Sequence, residues 1–147
     1  MIITPIASQA AQETLKSLQL PGFISKVPAG FPNPADDYMD RKLDLNEHLI
    51  KHPAATFYCR VSGESMQDIG IFDGDLLVVD RAVKPVNGHV VLAAINGELT
   101  CKLLDVSGQR LMAANKNYPP IPIHEDAEFL IEGVIIYSIR DHCVRTG

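Results

Sequence analysis

Ser65 and Lys102 are the two residues whose types could supply a nucleophile and a base without a histidine. A serine hydroxyl is a weak nucleophile until a base takes its proton, and a neutral lysine amine can do so alone. Ser65 lies in the run Ser62-Gly63-Glu64-Ser65-Met66-Gln67-Asp68-Ile69-Gly70, just past an apolar segment ending at Val61. A serine placed after a strand and a glycine can be presented on a turn, where the backbone N–H groups of Ser65 and Met66 would hold an oxyanion. Turn serines are also common for local hydrogen-bonding reasons, so Ser65 alone identifies nothing. The run is not the Gly-x-Ser-x-Gly elbow, because Gln67 stands where the second glycine belongs.

The lysine must first lose its proton. An ordinary lysine, with a pKa near 10.4, is neutral at pH 7 in only about one molecule in 2,500. Apolar surroundings disfavour the ammonium and lower the pKa by up to about 3–5 units. Asn96-Gly97 between two apolar runs signals a two-residue hairpin turn. That turn sets Ile95 opposite Glu98, Ala93 opposite Thr100 and Val91 opposite Lys102. Lys102 then shares a face with Val91, Ala93, Thr100 and Leu104, a poor place for a cation. A lysine at a strand end can instead snorkel to solvent, which position alone does not exclude. Cys101 points to the opposite face and reads as core.

The elements that must position this pair are mostly strands. Thr56–Val61, Asp75–Asp80, His89–Ile95, Glu98–Leu104, Leu111–Ala114 and Phe129–Ile139 alternate with Asp-Gly and Asn-Gly turn signals. Gly133 interrupts the last run and marks a bulge. Short strands of this kind predict a mainly β, compact, barrel-like domain. Residues 43–52 read as a short helix, capped by Asp44 and closed by Pro53. Residues 1 to about 20, with Ala10, Ala11, Leu15 and Leu18 at near-helical spacing, read as a marginal helix or a mobile arm. Between them, prolines 28, 32 and 34 forbid regular helix and favour an extended backbone around Ala29–Gly30, as in a linker.

Composition narrows the function classes. The chain has 147 residues, enough for one domain with a proper core, and 46% of them are hydrophobic. A formal charge of −5 argues against a protein whose main task is gripping DNA phosphates. Three widely spaced cysteines without a Cys-x-x-Cys pair suggest neither a disulfide framework nor zinc. Apolar runs such as Val90–Ile95 are too short to cross a bilayer, and the first residues lack a signal-peptide layout. No membrane association is therefore expected, and a reducing cytoplasm is the expected compartment. His48 and His52 are four apart, but Leu49 replaces the glutamate of His-Glu-x-x-His and no third ligand accompanies them. Solvated histidines are the expected reading, with no metal and no cofactor. His89 could complete a Ser-His-Asp triad in principle, although it falls at a strand start beside a turn.

The segment Ser62-Gly63-Glu64-Ser65-Met66, followed by Asp73-Gly74-Asp75-Leu76-Leu77 and Thr100-Cys101-Lys102, resembles the LexA/UmuD family of self-cleaving serine peptidases. The resemblance implies a LexA-like peptidase domain in which Ser65 is the nucleophile and Lys102 the general base. It also implies a scissile bond between a small residue and glycine, which maps onto Ala29–Gly30. Residues 1–29 would then be an arm removed by self-cleavage, and residues 30–147 the peptidase domain. The run from Ala29 to Tyr38, with Asp44-Leu45-Asn46 and His52-Pro53-Ala54-Ala55-Thr56, is similar to the UmuD branch rather than to the repressors. Residues 1–29 are too few for the helix-turn-helix domain that the repressors carry ahead of the cut. That branch implies an SOS-response role: a homodimer whose cleavage is promoted by a RecA–single-stranded-DNA filament. Its trimmed form serves a UmuC-like Y-family polymerase in translesion synthesis, without sequence-specific DNA binding of its own. Two alternatives remain: a mainly non-catalytic polymerase-binding subunit, and a signal-peptidase-like protease, which would need a membrane anchor.

Overall fold

The computed structural model describes residues 2–5, 19–23 and 39–143. Ala29 and Gly30, and the proposed helix positions Ala10, Ala11, Leu15 and Leu18, lie outside the described residues. The chain divides into two compact units, Met1–Glu13 with His52–Gly147, and Thr14–Lys51. In chain order the strands are β1 (Ile2–Pro5), β2 (Gln19–Phe23), β3 (Met39–Asp44), β4 (Thr56–Ser62) and β5 (Leu76–Asp80). They continue with β6 (Val90–Ile95), β7 (Glu98–Asp105), β8 (Arg110–Met112), β9 (Ile121–Pro122) and β10 (Phe129–Ile139).

In the smaller unit β2 pairs antiparallel with β3, with Gln19 opposite Asp44 and Phe23 opposite Met39. The one α-helix among the described residues, α1 (Leu45–Leu49), follows at once. The Asp44 carboxylate caps it by accepting the Asn46 N–H at 3.1 Å. The helix is shorter than the 43–52 expected from sequence. The ladder with β2 draws Leu43 and Asp44 into extended structure, and Ile50 is already extended (φ −111°, ψ 107°). Both ends of the segment read as an arm or helix also contain strands, β1 and β2.

The larger unit holds one eight-stranded sheet, ordered β1-β4-β5-β10-β6-β7-β8-β9, with every neighbouring pair antiparallel. The fold is therefore mainly β, as expected. The sheet bends back on itself, so that Cα atoms of β1, at one edge, come within 8 Å of those of β7. Alternation along each strand supplies two apolar layers. Cys59 and Val61 of β4, Leu77 and Val79 of β5, Leu92 of β6 and Cys101 of β7 bury themselves in one core cluster with Ile3 and Met66. Val91 and Ala93 of β6, Leu104 of β7, Leu111 of β8 and Val134 of β10 form the other.

The β6–β7 hairpin has the register expected from Asn96-Gly97, with Val91 opposite Lys102, Ala93 opposite Thr100 and Ile95 opposite Glu98. Asn96 and Gly97 both take positive φ, 50° and 84°, as a turn of type I′ requires. Strand β10 shifts register against β6 between Ile131 and Gly133, which is the bulge expected there. A side chain at Gly133 would have no room: a Cβ would lie 2.6 Å from Val79 Cγ1.

Candidate active site

Strand β4 ends at Ser62, and Gly63, at φ 97°, turns the chain out of the sheet in a conformation that disfavours other residues. The turn that follows is held at three points. The Asp73 carboxylate accepts the Gly63 N–H at 2.8 Å, and the Ala114 carbonyl accepts the Asp68 N–H at 2.8 Å. The Asn115 side-chain amide donates to the Glu64 carbonyl at 2.9 Å. Met66 is fully buried in the first core cluster. Such burial is worth roughly 1.5–3 kcal/mol and gives the turn an anchor next to the serine.

The serine so presented meets the lysine. Lys102 Nζ lies 3.0 Å from Ser65 Oγ, 2.9 Å from Thr100 Oγ1 and 3.2 Å from the Cys101 carbonyl oxygen. Ser65 is 0% exposed and Lys102 4%. The snorkelling alternative therefore fails: the lysine head is inside. Removal from water disfavours its ammonium and holds the Lys102 pKa below the ordinary lysine value. A neutral amine has two N–H groups and one lone pair. The Thr100 hydroxyl and the Cys101 carbonyl can take the two hydrogens, which turns the lone pair toward the Ser65 hydroxyl. The pair can thus abstract the serine proton and return it to a leaving amine, the proton economy of acyl transfer.

The neighbouring groups do not compete. Burial pushes the Cys101 thiol up to about 12 and the Cys59 thiol up to about 11, so neither is a thiolate nucleophile near neutral pH. Cys101 faces the first core cluster, as expected. His89 is not brought to the serine by any hydrogen bond; its Nδ1 accepts the Val86 N–H at 3.3 Å. His52 lies beyond the end of α1, so it does not share a helix face with His48. Its Nδ1 is 2.6 Å from the fully buried Asp80 carboxylate.

Two supporting groups escaped the sequence reading. Asn115 stands in a turn-forming stretch, Asn115-Lys116-Asn117-Tyr118-Pro119-Pro120, where asparagine is ordinary turn chemistry. Arg140 lies far along the chain from Asp75, yet donates from Nε and Nη2 to its buried carboxylate at 2.9 Å each, and from Nη2 to the Gly70 carbonyl at 2.8 Å. Burial alone would raise the Asp75 pKa, but the Arg140 guanidinium and the Phe72 N–H outweigh it and hold the carboxylate below its usual range. The guanidinium also stacks 3.9 Å from the Phe72 ring centroid. This clasp secures the 70–75 loop that Asp73 uses to hold the turn carrying Ser65.

An antiparallel β domain thus holds a buried serine within 3.0 Å of a buried lysine, a pair able to pass a proton without a histidine. Residues 22–136 match the Peptidase S24-like family, and the chain belongs to it. It is similar to protein MucA of Salmonella typhimurium, 42% identical over 86% of this chain and 89% of that one. Protein SamA of Salmonella typhimurium strain LT2 is likewise 42% identical, over 88% of this chain and 92% of its own. The LexA repressor of Colwellia psychrerythraea is 39% identical over 88% of this chain, but only 62% of the repressor is matched.

Proposed function

We propose that this chain is a self-cleaving serine peptidase of the SOS response, cutting its own Ala29–Gly30 bond. The observation that carries the reading is the buried 3.0 Å contact between Lys102 Nζ and Ser65 Oγ, beside a lysine whose charged form is disfavoured. In this mechanism Ser65 Oγ attacks the Ala29 carbonyl while Lys102 takes its proton. The N–H groups of Ser65 and Met66 stabilise the oxyanion. Lys102 then protonates the Gly30 amine, an acyl-enzyme forms on Ser65, and water releases it.

The trimmed form, residues 30–147, then acts as a dimeric accessory subunit of a Y-family polymerase in translesion synthesis, and a RecA–single-stranded-DNA filament promotes the cut. Family membership and the likeness to MucA, SamA and a LexA repressor support this role. The net charge of −5 suits protein partners better than DNA itself. The absence of a long apolar helix among the described residues gives the signal-peptidase alternative no helical anchor there.

The test is to incubate the purified chain at pH about 7 and about 10 and map any new N-terminus. The reading expects a fragment beginning at Gly30, formed faster at the higher pH and absent in Ser65→Ala and Lys102→Ala. An unchanged product in either variant would sink it. Supplying the 30–147 form with Ser65→Ala separates the two roles: mutagenesis that persists shows that the dyad serves activation only.

A further inference from the structure

Asn115 is 6% exposed and spends its side chain on two backbone groups. Nδ2 donates to the Glu64 carbonyl at 2.9 Å, and Oδ1 accepts the Asn117 N–H at 3.0 Å. Its own carbonyl accepts the Tyr118 N–H at 3.0 Å, closing a tight turn. A buried carboxamide joined at both ends has a fixed plane. The group it grips matters because the Glu64 carbonyl and the Ser65 N–H belong to one peptide unit. That unit is planar and trans, so its C=O and N–H point in opposite directions. Whatever fixes the carbonyl therefore fixes where the Ser65 N–H points. Among the described residues no hydrogen bond takes the N–H of Ser65 or of Met66. Donation into a carbonyl also polarises its amide and strengthens the N–H on the other side. The Gln67 N–H reaches the same oxygen, but at 3.3 Å it is the weaker grip.

We infer that Asn115 is a positioning residue that aims the Ser65 amide N–H at the oxyanion by holding the Glu64 carbonyl from behind. The assignment rests on Ser65 being the nucleophile. It separates two functions of one turn: Lys102 governs the serine proton, and Asn115 governs the charge that develops on the substrate oxygen. Loss of the grip should lower the cleavage rate at every pH without moving the pH at which the rate is half-maximal.

The experiment compares the full-length chain with Asn115→Asp and Asn115→Ala. Aspartate keeps the acceptor for the Asn117 N–H and replaces the donor to Glu64 with a charged oxygen that repels the carbonyl; alanine removes both groups and adds no charge. First-order self-cleavage rates are measured from pH about 6 to about 11, with urea unfolding of each chain in a Ser65→Ala background. Loss of a whole oxyanion donor costs about 10²–10³ in rate, and misaiming one should cost less. The expected result is a fall of roughly 10- to 100-fold in both variants, an unmoved half-maximal pH in the uncharged Asn115→Ala chain, and a chain still folded under assay conditions. Rates within twofold of the parent would overturn the inference. So would a displaced half-maximal pH in Asn115→Ala, or a rate loss that merely tracks the unfolded fraction. A parent chain that never cuts itself would overturn the peptidase reading first, and this assignment with it.

Discussion

Replacing Lys102 by methionine should make the protein's stability respond differently to pH. The lysine is 4% exposed, and burial lowers its pKa in the folded chain. In the unfolded chain it titrates near 10.4. Between the folded value and about 10.4 the unfolded state holds a proton that the folded state lacks, so stability rises with pH across that window. Below the folded value both states are protonated and the cost of the buried ammonium is constant. The slope inside the window approaches about 1.4 kcal/mol per pH unit for one proton. Methionine has a similar stem and no proton to lose, so this slope vanishes. Urea unfolding of Ser65→Ala and of Ser65→Ala/Lys102→Met, from pH about 6 to about 11, isolates the effect without self-cleavage. Cys59 and Tyr58, whose pKa values burial raises, are shared by both chains and drop out of the difference; Cys101 feels Lys102, but burial pushes its thiol up to about 12, above the assayed range. With a typical urea dependence of about 1–3 kcal/mol per molar, the midpoints should converge or cross by roughly 0.5–1.4 M per pH unit inside the window. A gap that stays constant up to pH 10 would refute a depressed Lys102 pKa, and with it the neutral-base mechanism.

Thr100→Val removes the hydroxyl that accepts from Lys102 Nζ at 2.9 Å. Without it the amine can rotate its lone pair away from Ser65, and self-cleavage should slow by roughly 5- to 30-fold, equivalent to about 1–2 kcal/mol; an unchanged rate would show that Thr100 does not orient the base. Arg140→Met leaves the buried Asp75 carboxylate without its counter-charge, held only by the Phe72 N–H, and should destabilise the domain at neutral pH. Asp75 is held below its usual pKa, so the stabilisation is present above the unfolded value near 3.9 and disappears as pH falls through the folded value. Denaturation of parent and variant should therefore differ at pH 7 and converge in acid. Gly133→Ala drives a methyl to 2.6 Å from Val79 Cγ1 and 3.2 Å from the Asp80 carbonyl oxygen, and should destabilise the domain by about 1–3 kcal/mol in the same assay.

What could be read from sequence was local. Asn96-Gly97 dictated both the turn type and the pairing of Val91 with Lys102, because a two-residue hairpin leaves no freedom in register. That pairing sufficed to put the lysine on an apolar face and to suggest why it would lose its proton. Gly133 marked its bulge for an equally local reason. Order in the sheet was different. Strand β10 inserts between β5 and β6, and β1 closes onto β4, through contacts between distant segments that no periodicity encodes. The helix at 43–52 was overestimated because pairing of β3 with β2 competes for Leu43 and Asp44. Asn115 and Arg140 act through Glu64 and Asp75, 51 and 65 residues away, so their roles become visible only when the chain is folded.

One titration decides whether Lys102 is the base for Ser65. Site-specific NMR of the Lys102 side chain in the full-length Ser65→Ala protein would follow its ionisation directly. It should show a midpoint below that of the exposed lysines, close to the pH at which the parent chain produces the Gly30 N-terminus at half its maximal rate. A Lys102 that titrates with the exposed lysines, or a cleavage profile indifferent to its titration, would contradict the claim that Lys102 is the base for Ser65.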